Sequence, residues 1–128
     1  MSDLNNTARK DNVKDCKAPL KYLHPDFLIG TAYGMLAGEY KYNAWNYTLG
    51  HDMQDLIDAA IRHLLAIRSG EMVDPDTTER LREHHGDNAP EVTHLDLAAC
   101  NINMIKAQIA ADTLRDDYPT ELQNKMGV

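Results

Sequence analysis

The stretch DMQDLIDAAIRHLLAIRSGEMVD, Asp52 to Asp74, decides the fold. Met53, Leu56, Ile57, Ala60, Ile61, Leu64 and Leu65 recur at steps of three and four, which lines apolar side chains along one side of an α-helix. Asp52 and Asp55 stand in the first turns, where acids complement the unpaired amide groups. Asp58 and Arg62 have the i, i+4 spacing of a helical ion pair. Arg68 suits the last turn, and Gly70 suits the cap that stops the helix. The apolar side predicts a core helix. The polar side and the C-terminal end gather Asp55, Asp58, Arg62, His63, Glu71 and Asp74 on what reads as one continuous element.

Beyond it, residues 71–92 are a polar connection, with a short helix expected over Thr77–His85 and ended by Gly86. So long a connection is uncommon without a purpose, and it reads as a functional flap or as an exposed arm in an oligomer. The next helix starts near Thr93, with Asp96 placed for a capping box. Leu95, Leu97, Ala98, Ala99, Ile102, Met104, Ile105 and Ile109 cover more than half its circumference, as in a helix buried on several sides of a bundle or in a dimer. His94 and Asn101, seven residues apart, share one face. The tail, 115–128, has no period.

In the other direction lies EYKYNAWNYTLG, residues 39–50, the richest patch of aromatic and hydrogen-bonding groups in the chain. Tyr42, Trp45 and Asn46 either cover one end of the core or wall a flat ligand, with Lys41 near a phosphate. Before it, Phe27 to Gly38 carries no charge and predicts a buried helix opened by Pro25 and Asp26. Gly30, Gly34 and Gly38 fall in one stripe of that helix, as if another backbone packs there. Residues 1–20 read as a flexible arm.

The expected fold is therefore all-α: a compact bundle of three main helices plus short helices, one domain over 21–114, completed by oligomerisation. The net charge of −7 and pI near 5.2 argue against a nucleic-acid polymer as partner. No apolar run reaches the length of a membrane span. The polar N-terminus carries no export signal, and Cys16 and Cys100 read as free thiols, so a cytoplasmic protein is expected.

Carboxylates from several helices can hold a hard divalent cation, and Asp58, His63, Glu71, Asp74, His94 and Asn101 are the constellation that could do so. Arg62 and Lys41 are the candidates for phosphate contact. The His51-Asp52 doublet is a weaker pointer, towards HD-type metal phosphohydrolases. No P-loop, dinucleotide fingerprint or zinc signature is present.

The succession Lys17-x-Pro19, His24-Pro25, Lys41-Tyr42, Asn46-Tyr47, Asp58-Ala59, Arg62-His63, Gly70-Glu71, Asp74, then His94 with Ala98-Ala99 and Asn101 resembles the phage dATP/dGTP diphosphohydrolase N-terminal domain family, related to the MazG-like all-α pyrophosphohydrolases. It departs from the family pattern at Asn43, Tyr47 and Leu97. The resemblance implies a Mg²⁺-dependent enzyme (or Mn²⁺ or Co²⁺) that splits a purine deoxynucleoside triphosphate into the monophosphate and pyrophosphate, working as a homodimer or homotetramer. Glu71 to Asp74 has the ExxD spacing of the family, and Asp55 to Asp58 the ExxE spacing with Asp for Glu. On this basis Asp58, Glu71, Asp74 and His94 are expected to bind metal, and Glu71, Asp74 and His63 to carry catalysis. Lys41, Tyr42, Trp45, Asn46, Arg62 and Asn101 are expected to bind substrate. The competing expectations are a non-catalytic helical interaction protein and an HD-type phosphohydrolase.

Overall fold

The computed structural model describes residues 17–42 and 50–113. Among them a 3₁₀ turn at Leu20–Tyr22 leads into four α-helices: α1 (Pro25–Tyr42), α2 (Met53–Arg68), α3 (Pro75–His85) and α4 (His94–Ala111). The described residues contain no strand, so the all-α expectation holds. No described helix is long and apolar enough to cross a membrane. Trp45 and Asn46, most of the N-terminal arm and the 115–128 tail lie outside the described residues.

Helix α4 is the axis of the bundle. It packs against both α2 and α1, while α3 packs against α1. The expected capping box of Thr93 with Asp96 is present at α4, and Asp52, expected in the first turn of α2, is instead its N-cap, its carboxylate accepting from Gln54 N at 2.8 Å. At the end of α2, Ser69 is the cap and Gly70, with φ +102°, turns the chain out. The glycine stripe of α1 faces α4 at two of its three positions. A Cβ on Gly34 would lie 2.7 Å from Cys100 Sγ, and one on Gly30 would collide with the Asp96 carboxylate; Gly38 meets nothing within 4 Å.

The core corrects the expectation for residues 71–92. They are neither a flap nor an exposed arm. Leu81 and Val92 are fully buried and, with Ala37 and Ala89, form the core cluster, against which Tyr33, Leu36, Tyr40 and Leu97 pack. Burying two such side chains stabilises the fold by roughly 1.5–3 kcal/mol each. Thr78 Oγ1 accepts from Val92 N at 2.9 Å and Arg82 Nε donates to Ala89 O at 3.1 Å, so the returning strand of loop is tied to α3. The same region holds α1: Tyr40 stacks on His84 with ring centroids 3.8 Å apart, and its hydroxyl meets His85 Nε2.

The apolar faces are less covered than their patterns suggest. On α2, Leu56 is buried, but Ile61, Leu64 and Leu65 are about half exposed. The uncharged run of α1 is buried only in its second half, at Gly34 and Ala37; Phe27, Leu28 and Ile29 are about half exposed. Leu95, Ile102 and Ile109 form a second exposed apolar stripe on α4.

Candidate metal and nucleotide site

Asp52 to Asp74 is not one continuous element, contrary to the sequence expectation. Helix α2 stops at Arg68, and Glu71 to Asp74 is an extended link to α3. That break builds the site. An antiparallel bridge pairs Val73 with Thr93, with Asp74 N donating to Val92 O at 2.9 Å and His94 N donating to Met72 O at 2.8 Å. Glu71 and Asp74 are thereby clamped beside the first residue of α4, His94.

Three side chains converge there. One ring nitrogen of His63, a carboxylate oxygen of Asp74 and one ring nitrogen of His94 lie within 4.8 Å of one another. The two Nδ1 atoms are 2.9 Å apart, and Asp74 Oδ2 is 3.9 Å from His94 Nδ1. The other Asp74 oxygen, Oδ1, accepts from Thr77 N at 3.2 Å and caps α3. Behind His94, Glu71 Oε1 lies 2.7 Å from Nε2. A carboxylate can only accept, so His94 donates from Nε2 and keeps a lone pair on Nδ1. The hydrogen between the two Nδ1 atoms then belongs to His63, whose Nδ1 could serve a cation only after that hydrogen moves to Nε2.

The environment favours neutral imidazole at His63. Burial is the first cause that lowers its pKa below 6.5; proximity to His94 and Arg62 adds to this, and the Asp74 carboxylate opposes it. Two imidazoles and a carboxylate form a donor set for a divalent cation. Two donors at about 2.1 Å from one ion stand about 3 Å apart at a right angle and about 4.2 Å apart across it. The His63–His94 spacing already fits, and an ion would draw Asp74 inward.

His63 and Asp74 also line a cleft of about 870 Å³ between α1 and α2, floored by α4. Of the other expected site residues, Lys41, Tyr42 and Asn101 line it as well. Lys41 and Tyr42 come from the end of α1. Asn101 is buried in α4, its amide donating to Leu97 O at 3.0 Å. Asp58 and Arg62 are not brought to the cleft. Both are exposed on α2 and make no ion pair with each other among the described residues. Asp55 takes the inward place instead, at i, i+4 and i+8 with Ala59 and His63. That spacing was present in the sequence and distinguishes Asp55 from Asp58.

Arg80, Asp76 and Thr77 of α3 are cleft residues that the sequence reading missed, because α3 was taken as part of a flap. The His51-Asp52 doublet belongs to a different network. His51 N donates to Gln108 Oε1 at 2.5 Å, its Nδ1 faces Gln108 Nε2 at 3.3 Å, and Asp52 caps α2. His84 and His85 are occupied with Tyr40.

A family model described as dATP/dGTP diphosphohydrolase, N-terminal, matches residues 6–118. No curated protein and no solved structure matches the chain.

Proposed function

The chain belongs to the dATP/dGTP diphosphohydrolase N-terminal family, and on that premise we propose that it hydrolyses dATP or dGTP to the monophosphate and pyrophosphate in the cleft between α1 and α2. One observation carries the reading: His63 and Asp74, which converge with His94, line one cleft together with Lys41 and Tyr42. A divalent cation bound there, the resemblance implying Mg²⁺, Mn²⁺ or Co²⁺, would neutralise phosphate charge and make a water more nucleophilic.

The chain's own residues supply the rest. His63, Asp74 and His94 hold the cation, and Glu71 orients His94. Lys41 and Arg80, the cationic side chains lining the cleft, contact the phosphates. Tyr42 packs on the base or sugar, and Asn101 offers its free carbonyl oxygen to the substrate. Asp55 orients the attacking water. Attack at the α-phosphorus breaks its bond to the bridging oxygen and releases pyrophosphate. A homodimer or homotetramer would cover the apolar stripes of Ile61, Leu64 and Leu65 on α2 and of Leu95, Ile102 and Ile109 on α4.

The test is a panel of deoxynucleoside and nucleoside triphosphates with each cation, products resolved by ion-pair chromatography. Pyrophosphate and a purine deoxynucleoside monophosphate are expected. Release of triphosphate would place the protein with HD-type enzymes, and no turnover with any cation would make it a binding protein. Sedimentation velocity checks the assembly, and a monomer at all concentrations would rule it out.

A further inference from the structure

The cation expected first by resemblance is Mg²⁺, and the donor set argues otherwise. Mg²⁺ is a hard ion that prefers oxygen in a near-ideal octahedron and keeps much of its water. Imidazole nitrogen is a poor match for it and a better one for Co²⁺, Ni²⁺ or Zn²⁺. Two of the three converging donors are imidazole nitrogens, His63 Nδ1 and His94 Nδ1, and they stand 2.9 Å apart.

Glu71 and Asp74 show that the cluster is built for this. Glu71 Oε1, at 2.7 Å, takes the Nε2 hydrogen of His94 and turns its Nδ1 lone pair towards His63. Asp74 uses one oxygen to cap α3 and leaves the other beside the ring. His94 is 8 % exposed, Asp74 17 % and Glu71 58 %. The imidazole and the inner carboxylate are shielded, while the outer carboxylate is in water. A carboxylate on the far nitrogen of a histidine fixes its tautomer and raises its basicity as a ligand.

We infer that His63, Asp74 and His94 form a site selective for a borderline transition-metal cation over Mg²⁺, with Glu71 as the outer partner that orients His94. The inference refines the metal in the proposed activity and rests on that reading only for the use the ion is put to.

The full chain, treated with chelator and dialysed, is titrated with Co²⁺ and with Mg²⁺ by equilibrium dialysis. Co²⁺ is expected to bind at least on the order of tenfold more tightly. Pulsed electron paramagnetic resonance of the Mn²⁺-loaded protein should show coupling to imidazole nitrogen. His63→Ala and His94→Ala should each remove one of the two nitrogen couplings or the binding, and Glu71→Gln should weaken Co²⁺ binding about 10–100-fold with the helical circular dichroism intact. Mg²⁺ binding as tight as Co²⁺, or Mn²⁺ bound without nitrogen coupling in the unsubstituted protein, overturns the inference, and neither result depends on a variant that folds. Tight nitrogen-coupled metal without pyrophosphate release would sink the proposed reaction and leave the site standing; Mg²⁺-supported release without nitrogen coupling would do the reverse.

Discussion

Oδ2 of Asp74 sits 3.9 Å from Nδ1 of His94, while the other oxygen of the same carboxylate accepts from Thr77 N and caps α3. The two roles respond differently to substitution. Asn is as good an N-cap as Asp but brings no charge to a cation. Asp74→Asn is therefore expected to keep the melting temperature and to lose divalent-cation binding and pyrophosphate release. Asp74→Ala should lose both, with about 1 kcal/mol of stability gone. Thermal denaturation beside a pyrophosphate assay distinguishes them. Equal destabilisation by both variants would contradict the cap.

His63 makes stability depend on pH. Its folded pKa lies below 6.5, first because burial disfavours the charged ring. The unfolded chain therefore takes up this proton at higher pH than the folded chain does. Between the two values the unfolded state binds more protons, so stability rises with pH through that window and falls as pH drops below about 6.5. Melting temperatures between pH 8 and pH 5.5, in chelator, should decline, and His63→Gln should decline less. Parallel curves for the two proteins would remove His63 as the cause.

Cys100 is buried against α1, and its Sγ–H donates to Thr31 O at 3.3 Å. Burial, helped by the nearby Asp96 carboxylate, pushes its pKa from 9.0 up to about 12. That leaves roughly a thousandfold less thiolate near neutral pH than a free cysteine has. In a Cys16→Ser background a disulfide reagent should not label the folded protein at pH 8 and should label it fully in denaturant. Rapid labelling of the folded protein would be the contrary result.

The glycines of α1 should separate by what they face. At Gly34 a Cβ would press on Cys100 Sγ and touch Leu97 Cδ2 at 3.6 Å. Gly34→Ala is expected to destabilise by about 1–3 kcal/mol through overpacking. Gly38 faces open space, so Gly38→Ala should stabilise by about 0.5–1 kcal/mol through helix propensity. Urea unfolding of the pair reads the difference, and the same sign for both would refute the packing of α1 on α4.

Gln108 has no exposure and holds the entry to α2 through its contact with His51 N. Gln108→Leu removes the acceptor and strands that amide, at a cost of about 1–3 kcal/mol. Retained stability in a urea titration would mean that another group takes the hydrogen.

The starts and stops of helices were open to sequence reading because each depends on a few neighbouring residues. Thr93 with Asp96, Asp52 before Met53, and Gly86 after His85 are local arrangements, and each is found where its chemistry places it. Helix α3 was expected as a short helix, but its place in the core was missed for the same reason in reverse. PDTTERLREHH contains a single strongly apolar residue, Leu81, so no period marks it as part of the core. Its burial comes from Val92, Ala89 and α1, which lie apart from it in sequence.

The candidate site divides in the same way. Residue types alone nominated His63, Glu71, Asp74 and His94, because few groups other than imidazoles and carboxylates serve a divalent cation. Sequence also sufficed for the all-α class, since helical period and caps are properties of short windows. Which of those groups meet was decided by the Val73–Thr93 bridge, which holds Asp74 beside His94. The place of Glu71 behind His94 rather than among the converging donors and the recruitment of Arg80 follow from tertiary packing. Such relations depend on contacts between residues distant in the chain, and a one-dimensional pattern carries no term for them.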